Sequence, residues 1–169
     1  MSDQKAHLYI FSGLPGSGKS TLAKLFAEQI GAAYLRIDTI EQGLRDLCNV
    51  KVEGEGYRLS YRIAEDNLKL GINVIADSCN PIELSRTEWR DVATKSGALP
   101  IDIEITCSDK AEHKLRVENR VSEIKDLKQP SWQDVQDREY DPWTTKRILI
   151  DTAGKKPEQS LAELCAKLA

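Results

Sequence analysis

The chain has 169 residues, 24 Lys and Arg against 27 Asp and Glu, a formal net charge of −3 and 40% hydrophobic residues. That length suits one domain able to bury about two-thirds of its unfolded surface, and an acidic balance spread along the chain argues against a long nucleic-acid partner. Four widely spaced cysteines without a C-x-x-C pair, no leader-like segment before Leu8, and no apolar run near the ~18 residues of a membrane span point to a cytoplasmic, membrane-free protein, and nothing in the pattern selects an oligomeric state.

In chain order, the apolar run Leu8 to Phe11 reads as a strand and leads into Gly13-Leu14-Pro15-Gly16-Ser17-Gly18-Lys19-Ser20, which satisfies G-x-x-x-x-G-K-[ST] at every required position. Leu22, Leu25, Phe26 and Ile30 then recur at helical spacing. Glycines let the backbone curl so that successive N–H groups face an anion, and the positive end of the next helix adds its dipole. Gly13, Pro15, Gly16, Ser17, Gly18, Lys19, Ser20 and Thr21 are therefore expected around the phosphates of ATP, with Lys19 on the β- and γ-phosphates and Ser20 on Mg²⁺.

Residues 32–37 form a second predicted strand ending at Asp38, and Thr39 is placed as the N-cap of a helix carrying Ile40, Leu44, Leu47 and Cys48 on one face. A further helix is expected from about Gly56 to Gly71, then a buried strand over Ile72–Asp77, then a helix opened by Pro81 and closed by Gly97. Ile101 to Thr106 makes the fourth strand, and Ser108 or Asp109 caps a charged helix to about Val121. Ser131 with Asp134 three residues on resembles a helix start, Arg147 to Ile150 is the last strand, and Pro157 begins a terminal helix with Leu161, Leu164, Cys165 and Leu168 in one stripe. Five strands alternating with helices give an α/β three-layer fold with a mainly parallel sheet and helices on both faces.

Ligands in such sheets bind beyond the carboxyl ends of the strands. Asp77 closes its strand in the manner of a carboxylate that orients the water around a metal, alongside Ser20; the bland alternative is a cap for the turn into Ser78-Cys79-Asn80-Pro81. Asp38 suits the base that accepts a hydroxyl proton during phosphoryl transfer, and its alternative is a helix cap. Arg116 and Arg120, with His113 on the same face and Lys125 and Lys128 beyond, provide cations for a lid over about 120–138. Against that stands a solvated face with Glu112 pairing Arg116, and His113 is expected at the surface. Glu41 and Arg45 form either an intrahelical pair or an arm toward an anionic substrate. The acceptor pocket is expected from the 39–71 and 78–90 segments, including Tyr57, Arg58, Tyr61, Arg62, Asn80, Arg86 and Arg90.

G-L-P-G-S-G-K-S-T-L-A, the aspartate after the second strand, V-I-A-D-S, the Arg86 to Arg90 helix and L-R-V-E-N-R before a lid together resemble the P-loop small-molecule kinases. That group includes the zeta-toxin, chloramphenicol-phosphotransferase and polynucleotide 5′-kinase relatives, grouped with AAA-family ATPases. The resemblance covers most of the chain, read from its length as a single P-loop kinase domain over residues 1–169, and implies a P-loop NTPase core of five parallel strands, ATP with Mg²⁺ as donor, Asp38 as base and Arg116 and Arg120 on the lid. The expected activity is transfer of the γ-phosphate to a hydroxyl of a small molecule. In the polynucleotide-kinase branch an arginine follows the base by three residues; Glu41 stands there, which weakens a nucleic-acid-end substrate. A nucleoside monophosphate kinase would need several arginines in the acceptor pocket and no base, and Asp38 would repel a second phosphate. Asp151-Thr152-Ala153-Gly154 imitates a GTPase switch, yet no N-K-x-D follows, so it is placed near an adenine ring. A non-transferring ATP-dependent switch is the remaining alternative; Ser78 stands where a motor ATPase carries its water-activating acid.

Overall fold

In the computed structural model, which describes residues 5–169, five strands form one sheet: β1 (His7–Ser12), β2 (Ala33–Arg36), β3 (Val74–Asp77), β4 (Leu99–Thr106) and β5 (Ile148–Asp151). Every pairing is parallel and the order is β2-β3-β1-β4-β5. The first four residues of the predicted domain lie outside the described ones.

Side chains alternate across the sheet, so each strand feeds two cores. Leu8, Ile10, Val74 and Ala76 face one layer, where they meet Ile37, Ala64, Leu68, Trp89 and Ala93. Phe11, Ile75, Ile103, Ile105 and Ile150 face the other, against Leu22, Phe26 and Leu164. The first layer is built by α2 (Ile37–Cys48), α3 (Glu55–Lys69) and α4 (Glu83–Lys95); the second by α1 (Lys19–Ile30) and α7 (Pro157–Leu168). Two helices, α5 (Lys110–Asn119) and α6 (Trp132–Gln136), sit beyond the carboxyl ends of the strands, joined by 120–131 without regular structure. Among the described residues no helix is long and apolar enough to cross a membrane.

Several boundaries depart from expectation for local reasons. Helix α2 starts at Ile37, directly off β2, with Arg36 as its N-cap; Thr39 is inside the helix rather than capping it. Asp38 therefore lies in the first helical turn, where the positive helix end favours a carboxylate. Pro81 does not open α4, because Asn80 turns through a left-handed φ of 45° and the helix begins two residues after Pro81. Strand β3 omits Ile72 and Asn73, since the Asn73 side chain accepts instead from the His7 N–H at 2.8 Å. Asp109 does cap α5, its side chain accepting from the N–H groups of Ala111 and Glu112, and Ser131 with Asp134 forms the expected capping box.

Strand β1 is flanked by β3 on one side and β4 on the other, so chain connections diverge on either side of it. A crevice opens at such a switch point, and the loop after β1 points into it.

Candidate active site

The loop after β1 has the backbone its glycines were read for. Gly13, Gly16 and Gly18 all take positive φ, at 149°, 81° and 91°. A Cβ at Gly13 would sit 2.3 Å from the Ile105 carbonyl oxygen, and one at Gly16 would sit 2.5 Å from Val117 Cγ2. Only glycine lets this cradle form and lets α5 press against it. Ser17 Oγ is buried inside it without a hydrogen-bond partner, which fits a loop shaped to receive an oxyanion.

Other elements brace the loop from three sides. Gly13 N–H donates to Cys79 O at 3.1 Å. Thr152, just past β5, donates through its hydroxyl to Ser17 O at 2.7 Å. Arg116 donates to Thr152 Oγ1 at 2.7 Å and to its carbonyl at 3.0 Å, while also pairing with Glu112 at 2.5 Å. Arg116 thus makes the intrahelical pair and also reaches the loop. His113, expected at the surface, is buried: its Nε2 bonds Pro15 O at 2.8 Å and its ring meets Trp132 edge-on at 5.2 Å. Spacing puts His113 on one face with Arg116; the signal missed was the apolar Val117 on that same face, which marks it as the side of α5 that docks on the loop.

Lys19 ion-pairs with Asp77, whose other carboxylate oxygen accepts from Tyr34 at 2.6 Å. Asp77 is 2% exposed. Burial alone would push its carboxyl up, but the Lys19 charge and hydrogen bonds from Lys19, Tyr34 and Ser20 outweigh it and hold the group below the usual carboxylate range. Burial and the neighbouring carboxylate push the Tyr34 hydroxyl far up, keeping it a donor. The Ser20 hydroxyl and the Asp77 carboxylate are adjacent hard oxygens of the kind Mg²⁺ accepts when water and phosphate complete its shell. The donor set fits that ion.

One cleft of about 1180 Å³ runs from this loop to the region of 120–130. Asp38, Glu41, Gln42 and Arg45 line it from α2, Arg36 from the end of β2, Arg120 and Glu123 from the irregular segment, and Arg138 from beyond α6. Asp38 is exposed to it. Arg120 is half-buried, and its Nε has no hydrogen-bond partner. Burial lowers its pKa most, the Asp38 charge opposes that, and the charges of Arg36 and Arg138 add to the lowering. Asp38, Arg36 and Arg138 are therefore electrostatic neighbours of Arg120.

The residues expected to build an acceptor pocket are mostly turned elsewhere. Arg86 is fully buried, donates to the carbonyls of Asn80 at 3.0 Å and Asp141 at 3.0 Å, and stacks on Trp143 at 4.1 Å. Arg90 is tied to Asp102 at 2.8 Å and Glu83 at 3.0 Å. Tyr61 donates to Glu88 at 2.9 Å, and the Tyr57 hydroxyl accepts from Asn80 N–H at 3.4 Å. Neither Arg58 nor Arg62 lines the cleft. Arg36, Glu123 and Arg138 line the cleft instead; the available clue for Arg36 was a charged residue closing an otherwise apolar strand.

A family model described as "AAA domain" matches residues 8–142. The chain belongs to the AAA-domain family. A protein of Thermococcus gammatolerans that bears the name "Putative adenylate kinase" is 30% identical over 156 residues, spanning 90% of this chain and 80% of its own. Among solved structures, a "putative kinase" of Chloroflexus aurantiacus superposes with a TM-score of 0.74 at 19% identity, covering 99% of this chain and 98% of that one. The APS kinase of Mycobacterium tuberculosis, in complex with AMPPNP and APS, gives a TM-score of 0.73 at 17% identity over 97% of this chain and 98% of that one. This AAA-domain chain therefore has a kinase-like P-loop fold with an all-parallel, five-stranded sheet.

Proposed function

We propose that the protein is an ATP-dependent phosphotransferase that moves the γ-phosphoryl group onto a hydroxyl of a small molecule. The observation that carries this reading is one cleft shared by a glycine cradle and an exposed carboxylate at Asp38, with the half-buried Arg120 in the electrostatic range of that carboxylate. Bound ATP with Mg²⁺ would supply the phosphoryl group and neutralise the charge that develops on it. The residues do the rest. The loop N–H groups and Lys19 hold the triphosphate, and Ser20 with Asp77 would keep the metal. Arg116 and Thr152 fix the loop wall. Asp38 takes the proton from the acceptor hydroxyl, and the unpartnered Arg120 donates to the transferring group.

A second reading, transfer to a phosphate oxygen of a nucleoside monophosphate, draws support from the name of the T. gammatolerans relative and needs no base. Transfer from γ-labelled ATP to a panel of alcohols, sugars, nucleosides and nucleoside monophosphates separates the two, with Asp38→Asn run beside the wild type. The proposal expects label on a hydroxyl, reduced ~10²-fold or more in the variant. Label on a monophosphate that survives the substitution selects the second reading. Release of free phosphate alone overturns both.

A further inference from the structure

The chain carries a net charge of −3, yet the cleft concentrates the opposite sign. Nine cationic side chains line it against five acidic ones. A magnesium-bound triphosphate carries only about two net negative charges, so a filled donor site leaves the cleft cationic. Away from the phosphate loop the cations include Lys24, Arg36, Arg45, Arg120 and Arg138, with Lys24 and Arg36 sharing the single carboxylate of Glu123.

Arg36 is the best-defined of these. Its side chain is 19% exposed, and its Nε is buried with no hydrogen-bond partner, an arrangement that leaves a strong donor unused. It sits at the carboxyl end of β2, in register with Asp77 on β3, one residue before α2 and two before Asp38. Its other partner is Glu123 at 3.0 Å, a residue of the irregular 120–131 segment that also takes Lys24 at 2.9 Å. Glu123 is 62% exposed. A carboxylate that open to water contributes little to stability and is readily exchanged for a better anion. The hydrogen bond from Lys24 and its charge, with a smaller contribution from Arg36, hold the Glu123 carboxyl below its usual range, so it stays an anion throughout the neutral pH range.

We infer that the acceptor is itself an anion, a hydroxyl compound bearing a phosphate group, and that Arg36 receives this group at a subsite where Glu123 stands in for it when the acceptor is absent. The inference rests on the phosphotransfer reading for its word acceptor, but the subsite is defined by Arg36 and Glu123 alone. Repulsion from Asp38 does not forbid such a ligand, because Arg120 lies within electrostatic range of that carboxylate and Arg36 and Arg138 line the same cleft. A guanidinium offers a planar fork of donors to an oxyanion, and Arg36 commits Nη1 only to the solvent-exposed Glu123, at 3.0 Å.

The experiment fills the donor site first. Protein saturated with AMPPNP and Mg²⁺ is titrated with inorganic phosphate by calorimetry, for the wild type, Arg36→Ala and Glu123→Gln. One saturable phosphate site is expected, weakened ~10-fold or more in Arg36→Ala, the scale of a lost charge-assisted hydrogen bond. Glu123→Gln should bind phosphate more tightly than wild type, since its competitor is gone, and acetate should bind more weakly than phosphate. No saturable phosphate binding, or equal binding by Arg36→Ala, overturns the subsite; equal binding of acetate overturns the assignment to a phosphate. In the transfer assay, a phosphorylated alcohol should exceed its neutral parent in kcat/KM, and Arg36→Ala should erase that preference. Intact phosphate binding with no transfer to any acceptor would sink the phosphotransfer reading while leaving the subsite in place.

Discussion

At the loop end of the cleft, the charged groups and carbonyls are paired, the buried Ser17 hydroxyl excepted: Lys19 with Asp77, the Ser17 carbonyl with Thr152, Arg116 with Glu112 and Thr152, the Pro15 carbonyl with His113. At the far end, the Nε atoms of Arg36 and Arg120 have no partner, Asp38 is exposed, and the main ion pairs run to Glu123, itself open to solvent. The first region is set before any ligand arrives, as electrostatic stabilisation of a transferring group demands. The second holds its charges loosely, and its donors gain their partners from what binds. On the proposed function, the braced end holds the donor and the loosely paired end receives the acceptor, a division of labour by which one fold serves different acceptors.

The comparison can be broken most directly at Lys19. Lys19→Ala should lower transfer ~10³-fold or more in a γ-label assay; retention of a tenth of the activity would show that the prebuilt half is not where the chemistry happens. A finer cut sets two arginines of one stretch against each other. Arg120→Ala should lower kcat ~10²-fold with little change in nucleotide KM, while Arg116→Ala should mainly raise nucleotide KM, by ~10-fold. If the two variants share one kinetic signature, the cleft does not divide where its hydrogen bonds do. The smallest effect concerns stability. Because the folded Asp77 carboxyl lies below its ordinary value of about 4, its ionised pairing stabilises the fold in full above that pH and is lost as pH falls through the depressed folded value. Asp77→Asn should lower stability by about 2 kcal/mol near neutrality, and its Tm should decline less steeply below pH 4 than that of the wild type.

How much of this was legible in the sequence follows the same divide. The phosphate loop, the five strands, the Asp109 cap and the Ser131 capping box are local signals, written within a few adjacent residues, and the structure contains each of them. The far end of the cleft is assembled from segments far apart in the chain: Arg36 pairs with Glu123, and Arg138 lines the same cleft, only because β2, the irregular segment and the stretch after α6 converge there. Spacing carries no trace of such a meeting. Arg86 shows the opposite error. An arginine on an amphipathic helix reads as a pocket cation, whereas here carbonyls from two loops and the Trp143 ring satisfy it completely inside the fold. His113 misled in the same way, because a polar residue in a charged helix is buried only when its ring finds a partner such as the Pro15 carbonyl.

The hydroxyl of Thr152 that holds the Ser17 carbonyl reaches across 135 positions of sequence. All the strand pairings are parallel, so none can close as a hairpin, and a topology of that kind forms slowly because distant segments must meet first. During synthesis, β1 has neither neighbour until β3 emerges, and its second flank waits for β4. The nucleotide loop, made almost at the start, is therefore finished almost at the end. A chain interrupted before Thr152 would carry the whole G-x-x-x-x-G-K-S signature without the clasp that holds it, so the first loop of the fold takes its final bracing from the residue just past the last strand.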